Sequence, residues 1–459
     1  MPPTIALIAG IVLVAWLLRI ERQRNPAASH ALWVPTLWLL LAGSRAVGLW
    51  FNPTGVAGSI EEGSAYDRFV LNMLILLAIW FLSRRKINWS LLLKNNIWLI
   101  LLSVYLGLSV LWSDFMFVSF KRWIKIAGTV IMAWVILTET QPLQAMESLL
   151  RRCAYVLIPL SLVLIKYFPV YGILYTRQGI RMATGVATQK NGLGVLCALS
   201  AVILVWAIIR GKRSGELFRS QFHTIADVLV IGIALFLLFG GGGTSSATSI
   251  LVFYVGIAFL LVLCIWKNLT EYVANHLKIF MVVGIFLFML FNHFLLPMFT
   301  SFLSRDETLT GRTDIWRSVL EVAARKPILG TGYGGYWGLQ GEFDRHYEVG
   351  QSHNGYLDVY LQVGIVGLAA LFMFFLEFCG NVRRELNHVY DWGMFGICFI
   401  TIMLLYNYSE ASFIVQNYMW TVTVFLSVVF SVAHLRTNVE LIAPATDTLR
   451  PNMQGHVHR

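Results

Sequence analysis

Apolar runs long enough to cross a lipid bilayer recur along the whole sequence. The hydrocarbon core of a bilayer is about 30 Å thick, and about 20 helical residues span it. About 13 runs approach that length, or about 12 if the weakest are re-entrant. The pattern predicts an all-α polytopic membrane protein. The predicted segments are residues 4–20, 31–51, 67–83, 96–112, 122–138, 153–168, 191–210, 226–239, 250–266, 278–296, 354–377, 392–407 and 413–434.

Basic residues fall on alternate connections between these segments. Cytoplasmic loops carry an excess of lysine and arginine, so these connections face the cytoplasm together if the N-terminus lies outside. We therefore predict transmembrane helices 1–10 in residues 1–296, an extracytoplasmic cap loop in 297–352, helices 11–13 in 353–434 and a cytoplasmic tail in 435–459. The basic connections hold Arg19, Arg22 and Arg24; Arg84, Arg85, Lys86 and Lys94; Arg151 and Arg152; Arg210, Lys212, Arg213 and Arg219; Lys267 and Lys278; and Arg383 and Arg384.

The cap loop is about 55 residues long, and loops of that length are usually functional or disordered. It contains an amphipathic helical pattern that stops before Pro327, followed by a glycine- and aromatic-rich stretch, "GTGYGGYWG", at 330–338. These features predict a small folded cap with one short helix, lying against the membrane. The apolar positions of that helix are Ile315, Val319, Val322 and Ala323.

Composition supports a membrane protein. It argues against a nucleic-acid-binding protein and against a protein stabilised by disulfides or zinc. The chain is 57% hydrophobic and 13% charged, whereas soluble domains carry about 25% charged residues. Its net charge of +11 is accounted for by basic residues at both membrane faces, and no RNA-binding signature predicts a nucleic-acid partner. The five cysteines lie in or beside apolar segments without a C-x-x-C pair. We expect small core residues rather than disulfides or zinc ligands.

Several basic residues fall on the outer side, against the usual bias. Arginine binds phosphate with two parallel hydrogen bonds, so an outer cluster indicates a lipid phosphate or diphosphate. Surface ion pairs with Glu307, Glu321, Glu342 or Asp344 are the alternative, favoured for Arg325, Lys326 and Arg345. The other outer cations are Arg177, Arg181 and Lys190 before the seventh segment, Arg305, Arg312 and Arg317 in the loop, and Lys121, Arg122 and Lys125 at the outer end of the fifth segment.

His353 stands where the long loop enters the membrane. Ser352 or Asn354 is a natural N-cap for the helix that follows, and the positive end of that helix favours a neutral imidazole. His353 is therefore either a catalytic base or a hydrogen-bonded interfacial residue. Asp358, one turn further in, is either a functional carboxylate or half of a structural ion pair with another helix.

The remaining motifs are weak. The run "GGGGTSSATS" at 240–249 is favoured as a flexible turn between helices, and its hydroxyl groups offer a weaker prediction of sugar or phosphate binding. The sequence has no H-E-x-x-H and no G-x-S-x-G motif. We therefore expect chemistry without a metal.

Three quoted stretches together resemble the signature region of the O-antigen ligase and polymerase superfamily. They are "TGRTDIW" (310–316), "KPILGTGYGGYW" (326–337) and "SHNGYLDVYLQVGIVGL" (352–368), and they look most like exopolysaccharide polymerases of the succinoglycan type. "GVATQKNGLG" (185–194) resembles the family's Lys-Asn element, and "YNYSEASFIVQNYMW" (406–420) resembles its last outer turn.

The resemblance implies a C-type glycosyltransferase bundle in the bacterial inner membrane. The implied donor is a glycan on undecaprenyl diphosphate, used at the periplasmic face without a metal or cofactor. The implied acceptor is either another lipid-linked repeat, in polymerases, or lipid A core, in ligases. A protein O-oligosaccharyltransferase and a lipid flippase or secondary transporter are the further alternatives.

The resemblance also implies site residues. His353, Arg312 and Arg181 are the implied catalytic residues, and Arg177, Lys190 and Asn191 the implied diphosphate-binding ones. Beside these, we expect Asn354 at the helix start, Asp358 or Glu410 orienting the imidazole or the acceptor, and Tyr336 and Trp337, with Tyr333, either stacking on sugar rings or packing within the cap.

Overall fold

A computed structural model describes residues 1–52, 64–175, 179–213, 221–241, 243, 245–290, 310–337 and 350–432. Within these ranges the regular secondary structure is helical, apart from one two-stranded antiparallel sheet. The helices are α1 Pro3–Arg24, α2 Trp33–Ala42, α3 Val47–Phe51, α4 Ala65–Ser83, α5 Trp89–Lys94, α6 Ile97–Leu108, α7 Met116–Leu137, α8 Pro142–Tyr167, α9 Pro169–Gly172, α10 Lys190–Arg213, α11 Gln221–Leu238, α12 Ala247–Ile265, α13 Lys267–Leu290, α14 Thr310–Ala323, α15 Gly355–His388, α16 Tyr390–Ser409 and α17 Tyr418–Val432; the strands are β1 Ile173–Tyr175 and β2 Arg181–Ala183, and 3₁₀ turns occupy His30–Leu32 and Ser109–Trp112.

The all-α polytopic prediction is confirmed. In the described part of the chain, 8 helices are long and apolar enough to cross a membrane, and three shorter apolar helices accompany them. Two further helices, α7 and α13, coincide with the fifth and tenth predicted segments. Every predicted apolar segment therefore overlaps a helix. The five cysteines are unpaired thiols, four of them buried, as expected.

Ion pairs, most of them buried, join α1, α8, α10 and α11 at one end of the bundle. Arg24 and Arg151 both contact Asp227, and Arg152 Nε lies 2.6 Å from Glu21 Oε2. A buried charge is costly unless it is paired, so these contacts fix the helix ends relative to one another. The arginines come from connections that the sequence assigned to one side of the membrane.

Helix α15 is broken at Gly364. The residue adopts φ 63° and ψ −165°, a conformation that is essentially restricted to glycine. A Cβ atom there would come within 2.2 Å of the Ile328 carbonyl oxygen. The sequence predicted one continuous apolar segment here, whereas the structure has two helical pieces with another stretch of chain crossing between them.

The crossing stretch, residues 327–334, bonds to the backbone groups that the break releases. Thr331 N and Gly332 N donate to the carbonyls of Leu361 and Gln362 at 2.9 and 2.8 Å. Backbone polar groups at membrane depth need protein partners because lipid offers none. The stretch therefore completes the broken helix. The other bonds across the break are Ile365 N to Pro327 O at 2.9 Å, Val366 N to Ile328 O at 3.3 Å and Tyr105 Oη to Val363 O at 2.9 Å.

Part of the predicted cap loop lies among the described residues. It forms helix α14, in which Ile315, Val319 and Ala323 are buried and Val322 packs beside them. The glycine-rich stretch, expected within a cap lying against the membrane, instead inserts into the break of α15. The rest of the loop, 297–309 and 338–349, and the tail 435–459 lie outside the described residues.

We expect Gly364→Ala to destabilise the protein by about 1–3 kcal/mol or more, because alanine disfavours this backbone conformation and collides with Ile328. The thermal midpoint of the detergent-solubilised protein, read by size-exclusion chromatography, measures the effect. Gly232→Ala is the matched control, since a Cβ atom at Gly232 in α11 meets nothing within 4 Å. Equal thermal midpoints for the two variants would contradict the requirement for glycine at position 364.

Candidate functional site

A buried carboxylate, Glu410, lies at the centre of the candidate site. It follows α16 directly, and its side chain is 3% exposed. Its Oε1 accepts from Asn191 Nδ2 at 2.6 Å and from Arg312 Nη2 at 3.4 Å. Its Oε2 lies 3.3 Å from His353 Nδ1 and 3.5 Å from Gln351 Nε2. The Glu410 carboxylate thus contacts four side chains, which come from α10, α14 and the turn before α15.

The turn that carries His353 is held in an unusual conformation. His353 has φ 55°, in the left-handed region that few residues other than glycine adopt. Asn354 is the N-cap of α15, and its Oδ1 accepts from the amides of Tyr356 and Leu357. A Cβ atom at Gly355 would meet Asn407 Oδ1 at 2.2 Å, so the turn packs closely on α16. Two residues, Ser352 and Asn354, were predicted as the N-cap of this helix, and Asn354 is the N-cap in the structure.

The backbone of Ser352, just before His353, is hydrogen-bonded through both its amide and its carbonyl group. Its amide donates to Asp358 Oδ1 at 3.0 Å, and its carbonyl accepts from Trp316 Nε1 of α14 at 2.9 Å. The Asp358 carboxylate therefore holds the His353 turn through a backbone amide. The expected alternative, an ion pair with a basic residue of another helix, is not seen among the described residues.

Arg312 reaches the site from the first turn of α14. Its Nη1 donates to the Ser409 carbonyl at 2.8 Å, at the C-terminus of α16, where the helix dipole favours a cation. Its side chain is 26% exposed. Because a guanidinium carries more N–H groups than these contacts use, donors remain for an anion. Arg312 is thus oriented by the protein and still open to a ligand.

The turn after Glu410 is shaped by a second residue with positive φ. Ile414 has φ 49°, a rare conformation for a β-branched residue. Its carbonyl accepts from Tyr333 Oη at 2.7 Å, and Asn407 Oδ1 accepts from Ser412 N at 2.8 Å. The buried Tyr333 hydroxyl donates in this contact, which joins the 330–337 stretch to the turn after Glu410.

Two other predicted residues, Arg181 and Lys190, lie at the starts of β2 and α10. Arg181 begins β2 and pairs with Tyr175 of β1, and a Cβ atom at Gly243 would lie 3.1 Å from the Arg181 carbonyl. The glycine-rich run therefore packs against this hairpin. Lys190 is partly exposed at the start of α10, next to Asn191. Arg177, Arg305 and Arg345 lie outside the described residues.

The aromatic side chains of the 330–337 stretch are packing residues in the structure. Tyr336 and Trp337 are 5% and 7% exposed, in a small core with Ile315, Val319 and Leu361. Tyr333 is buried and bonded to Ile414. The sequence left these three side chains two roles, stacking on sugar rings or packing within the protein. Their burial supports packing.

Two contacts to the site were missed from the sequence. Gln351 stands beside His353, and its polar side chain in the same short cluster was the available signal. Thr248 Oγ1 accepts from Ser409 Oγ at 2.9 Å, which ties the hydroxyl cluster after the glycine run to the residue preceding Glu410. Lys326 forms a surface ion pair at 3.9 Å with Asp114, which was not one of the acidic partners expected from the sequence.

The site lies at the opposite end of α10 from the buried ion pairs. Asn191, in its first turn, contacts Glu410, and Arg210, in its last turn, contacts Glu147. At about 1.5 Å per residue the two ends are about 28 Å apart, close to the thickness of a bilayer core. His353 and Arg312 therefore lie at the end of the helix bundle opposite Arg24 and Arg151.

Comparison with known proteins supports the resemblance. Residues 230–372 match the model of a family described as O-antigen ligase. The chain is also 32% identical over 131 residues to the exopolysaccharide production protein ExoQ of Rhizobium meliloti (strain 1021). That alignment covers 24% of this chain and 30% of the relative. The resemblance drawn from the sequence is thereby confirmed over the segment that includes Arg312 and His353.

We expect Asp358→Ala to loosen the His353 turn, because the buried Ser352 amide loses its acceptor at a cost of about 1–3 kcal/mol. Hydrogen–deuterium exchange of a peptide covering residues 350–360 measures this as faster amide exchange. Asp358→Asn keeps an acceptor oxygen in place and should exchange close to the wild-type rate. Unchanged exchange in Asp358→Ala would rule out this role for the carboxylate.

Proposed function

We propose that this protein is a membrane-embedded glycosyltransferase that takes a glycan from undecaprenyl diphosphate at the periplasmic face of the bacterial inner membrane. The observation that carries the proposal is the meeting of His353, Arg312 and Asn191 at Glu410. An imidazole next to a guanidinium at one end of the helix bundle supports the pairing of a proton acceptor with an anion-binding group. The product is cell-surface polysaccharide.

Arg312 would stabilise the leaving group. Negative charge builds on the lipid diphosphate as the bond between the anomeric carbon and the phosphate oxygen breaks. Donors held in place before the reaction are often the largest catalytic contribution, and Arg312 is held by the Ser409 carbonyl and Glu410. Arg181 of β2 is proposed to bind the same diphosphate, and so is Arg177, which lies outside the described residues.

His353 would take the proton of the acceptor hydroxyl. With Nδ1–H donating to Glu410, Nε2 remains as the accepting nitrogen of a neutral ring. The acceptor oxygen bonds to the anomeric carbon, its proton moves to Nε2, and the diphosphate leaves with the electron pair. Glu410 then stabilises the imidazolium, as a carboxylate does in other base–carboxylate pairs. Direct attack inverts the anomeric centre, and no step requires a metal.

Polymerisation of a lipid-linked repeat is our favoured form of this reaction. The similarity to an exopolysaccharide production protein supports it. Ligation to lipid A core is the second candidate, supported by the description of the matched family as O-antigen ligase. The His353 and Arg312 chemistry is the same for both, because only the acceptor hydroxyl differs.

We expect His353→Ala and Arg312→Ala each to abolish product formation. Loss of a general base alone costs roughly 10²–10⁴-fold in rate. The measurement is formation of new glycosidic bonds by purified protein reconstituted with a lipid-linked repeat. Arg325→Ala, which removes an exposed arginine just after α14, is the control and should remain active.

Two outcomes of that assay would contradict parts of the proposal. Near-normal product from either alanine variant, with membrane insertion retained, would remove that residue from the mechanism. Movement of the lipid-linked glycan across the bilayer without new bonds would indicate a transporter and overturn the proposal.

Deletion of the gene should leave single repeats on the lipid carrier if the protein is a polymerase. A polymerase deletion stops chain growth, whereas a ligase deletion leaves full-length glycan on the carrier. Gel electrophoresis of extracted lipid-linked glycans separates the two. Full-length chains on the carrier would replace the polymerase assignment by the ligase one.

A further inference from the structure

Trp316 lies beside both proposed reacting groups and takes no part in the proton transfer described above. It follows Arg312 by four positions in α14, so the two side chains lie on the same side of the helix, about 6 Å apart along its axis. Its Nε1 donates to the carbonyl of Ser352 at 2.9 Å, and Ser352 directly precedes His353. Trp316 is therefore joined to Arg312 through α14 and to His353 through the turn before α15.

The indole ring of Trp316 faces the end of α16. Its centroid lies 6.1 Å from that of the Tyr408 ring, with the ring planes at 60°. Tyr408 directly precedes Ser409, whose carbonyl accepts from Arg312. Both rings are partly exposed, whereas the aromatic side chains of the 330–337 stretch are buried. The aromatic surface next to the reacting groups is therefore supplied by α14 and α16.

The N–H group of Trp316 is bonded to the protein, unlike that of a tryptophan in an interfacial belt, which meets water or lipid head groups. This hydrogen bond fixes the orientation of the indole ring. Part of the ring packs on the small core that contains Ile315 and Leu361, and another part stays exposed. A ring that is already held in place loses little conformational freedom when a ligand packs on it.

The proposed transfer requires a sugar ring at this place. The carbon that is attacked is bonded to the diphosphate oxygen, and Arg312 is proposed to bind that diphosphate. The same carbon must come within about 3–3.5 Å of the acceptor oxygen, which His353 is proposed to deprotonate. The sugar that carries this carbon must therefore lie between Arg312 and His353, where Trp316 borders the site. Sugar rings present C–H groups on their faces, and such faces pack on aromatic rings.

We propose that Trp316 packs against the sugar that is bonded directly to the lipid diphosphate and contributes to its binding. The inference rests on the proposed glycosyl transfer. Trp316 also positions His353 through the hydrogen bond to Ser352. The two effects are separable, because contact with the sugar needs an aromatic ring, whereas the hydrogen bond needs the indole N–H.

The first experiment compares the binding of two lipids. The probes are undecaprenyl diphosphate carrying one repeat unit and bare undecaprenyl diphosphate, each titrated against the detergent-solubilised protein in native mass spectrometry. Trp316→Met should weaken binding of the sugar-bearing lipid roughly tenfold and leave binding of the bare lipid unchanged, because methionine fills the space beside the core but has no ring. Trp316→Phe, which keeps a ring, should bind the sugar-bearing lipid almost as well as wild type.

Trp123→Met is the matched control. Trp123 is also a partly exposed tryptophan whose Nε1 donates to a backbone carbonyl at 2.9 Å, but that carbonyl belongs to Ser103 and the bond joins α7 to α6. The control should bind both lipids as wild type does. Equal weakening of both lipids by Trp316→Met, or weakening of neither, would overturn the inference. A loss in Trp316→Phe as large as that in Trp316→Met would overturn it too.

The reconstituted transfer assay separates the two effects of Trp316. Both Trp316→Phe and Trp316→Met lose the hydrogen bond to Ser352, so both should lower kcat to a similar extent. With a soluble glycan acceptor in excess, only Trp316→Met should raise KM for the sugar-bearing lipid, and an equal rise in both variants would contradict the sugar contact. Absence of new glycosidic bonds in wild type would overturn the proposed function, whereas the lipid-binding comparison would still decide on Trp316.

A measurement on the unsubstituted protein covers the case in which Trp316→Met fails to fold. In protein labelled with fluorotryptophan, the fluorine NMR resonance that Trp316→Phe removes belongs to Trp316. This resonance should shift when the sugar-bearing lipid is added and stay in place with the bare lipid. Equal shifts with both lipids, or no shift with either, would overturn the inference.

Discussion

The need to satisfy backbone hydrogen bonds away from water shapes this protein at its most unusual point. Helix α15 breaks at Gly364, and the polar groups that the break releases are bonded by residues 327–334 and by Tyr105. An unpaired amide or carbonyl at membrane depth would cost several kcal/mol. The break and the inserted stretch are therefore stable only together. Because α14 leads directly into that stretch, the same constraint brings Arg312 to the start of α15, where His353 lies.

A single buried carboxylate then organises the chemistry. The partners of Glu410 are distant in sequence, with separations of 57 residues for His353, 98 for Arg312 and 219 for Asn191. A buried anion favours partners that neutralise it and donate hydrogen bonds, so Glu410 draws these side chains to one point. The positive φ values of His353 and Ile414 lie on either side of it. Residues held in such conformations cluster at functional sites.

Hydropathy predicted the helices because membrane insertion depends on long apolar runs, and each predicted run overlaps a helix. It missed the break at Gly364, since a glycine inside an apolar run does not alter hydropathy. Local motifs named His353 and Arg312 as candidates, and the structure brings both to Glu410. Glu410 was only weakly indicated because its importance comes from long-range contacts that no local pattern records. Tyr336 and Trp337 suggested sugar stacking as one role, whereas their burial shows that they form the core beneath α14.

The two ends of the helix bundle use charge differently. At one end Arg24, Arg151 and Arg152 are paired with buried Asp227 and Glu21, and these pairs hold the helices together. At the other end Arg312 and His353 share the single carboxylate of Glu410. The guanidinium keeps N–H donors for a further anion, and lipid phosphates are the anions that a bilayer supplies. This arrangement supports the proposed role of Arg312 as a ligand of a lipid-linked diphosphate.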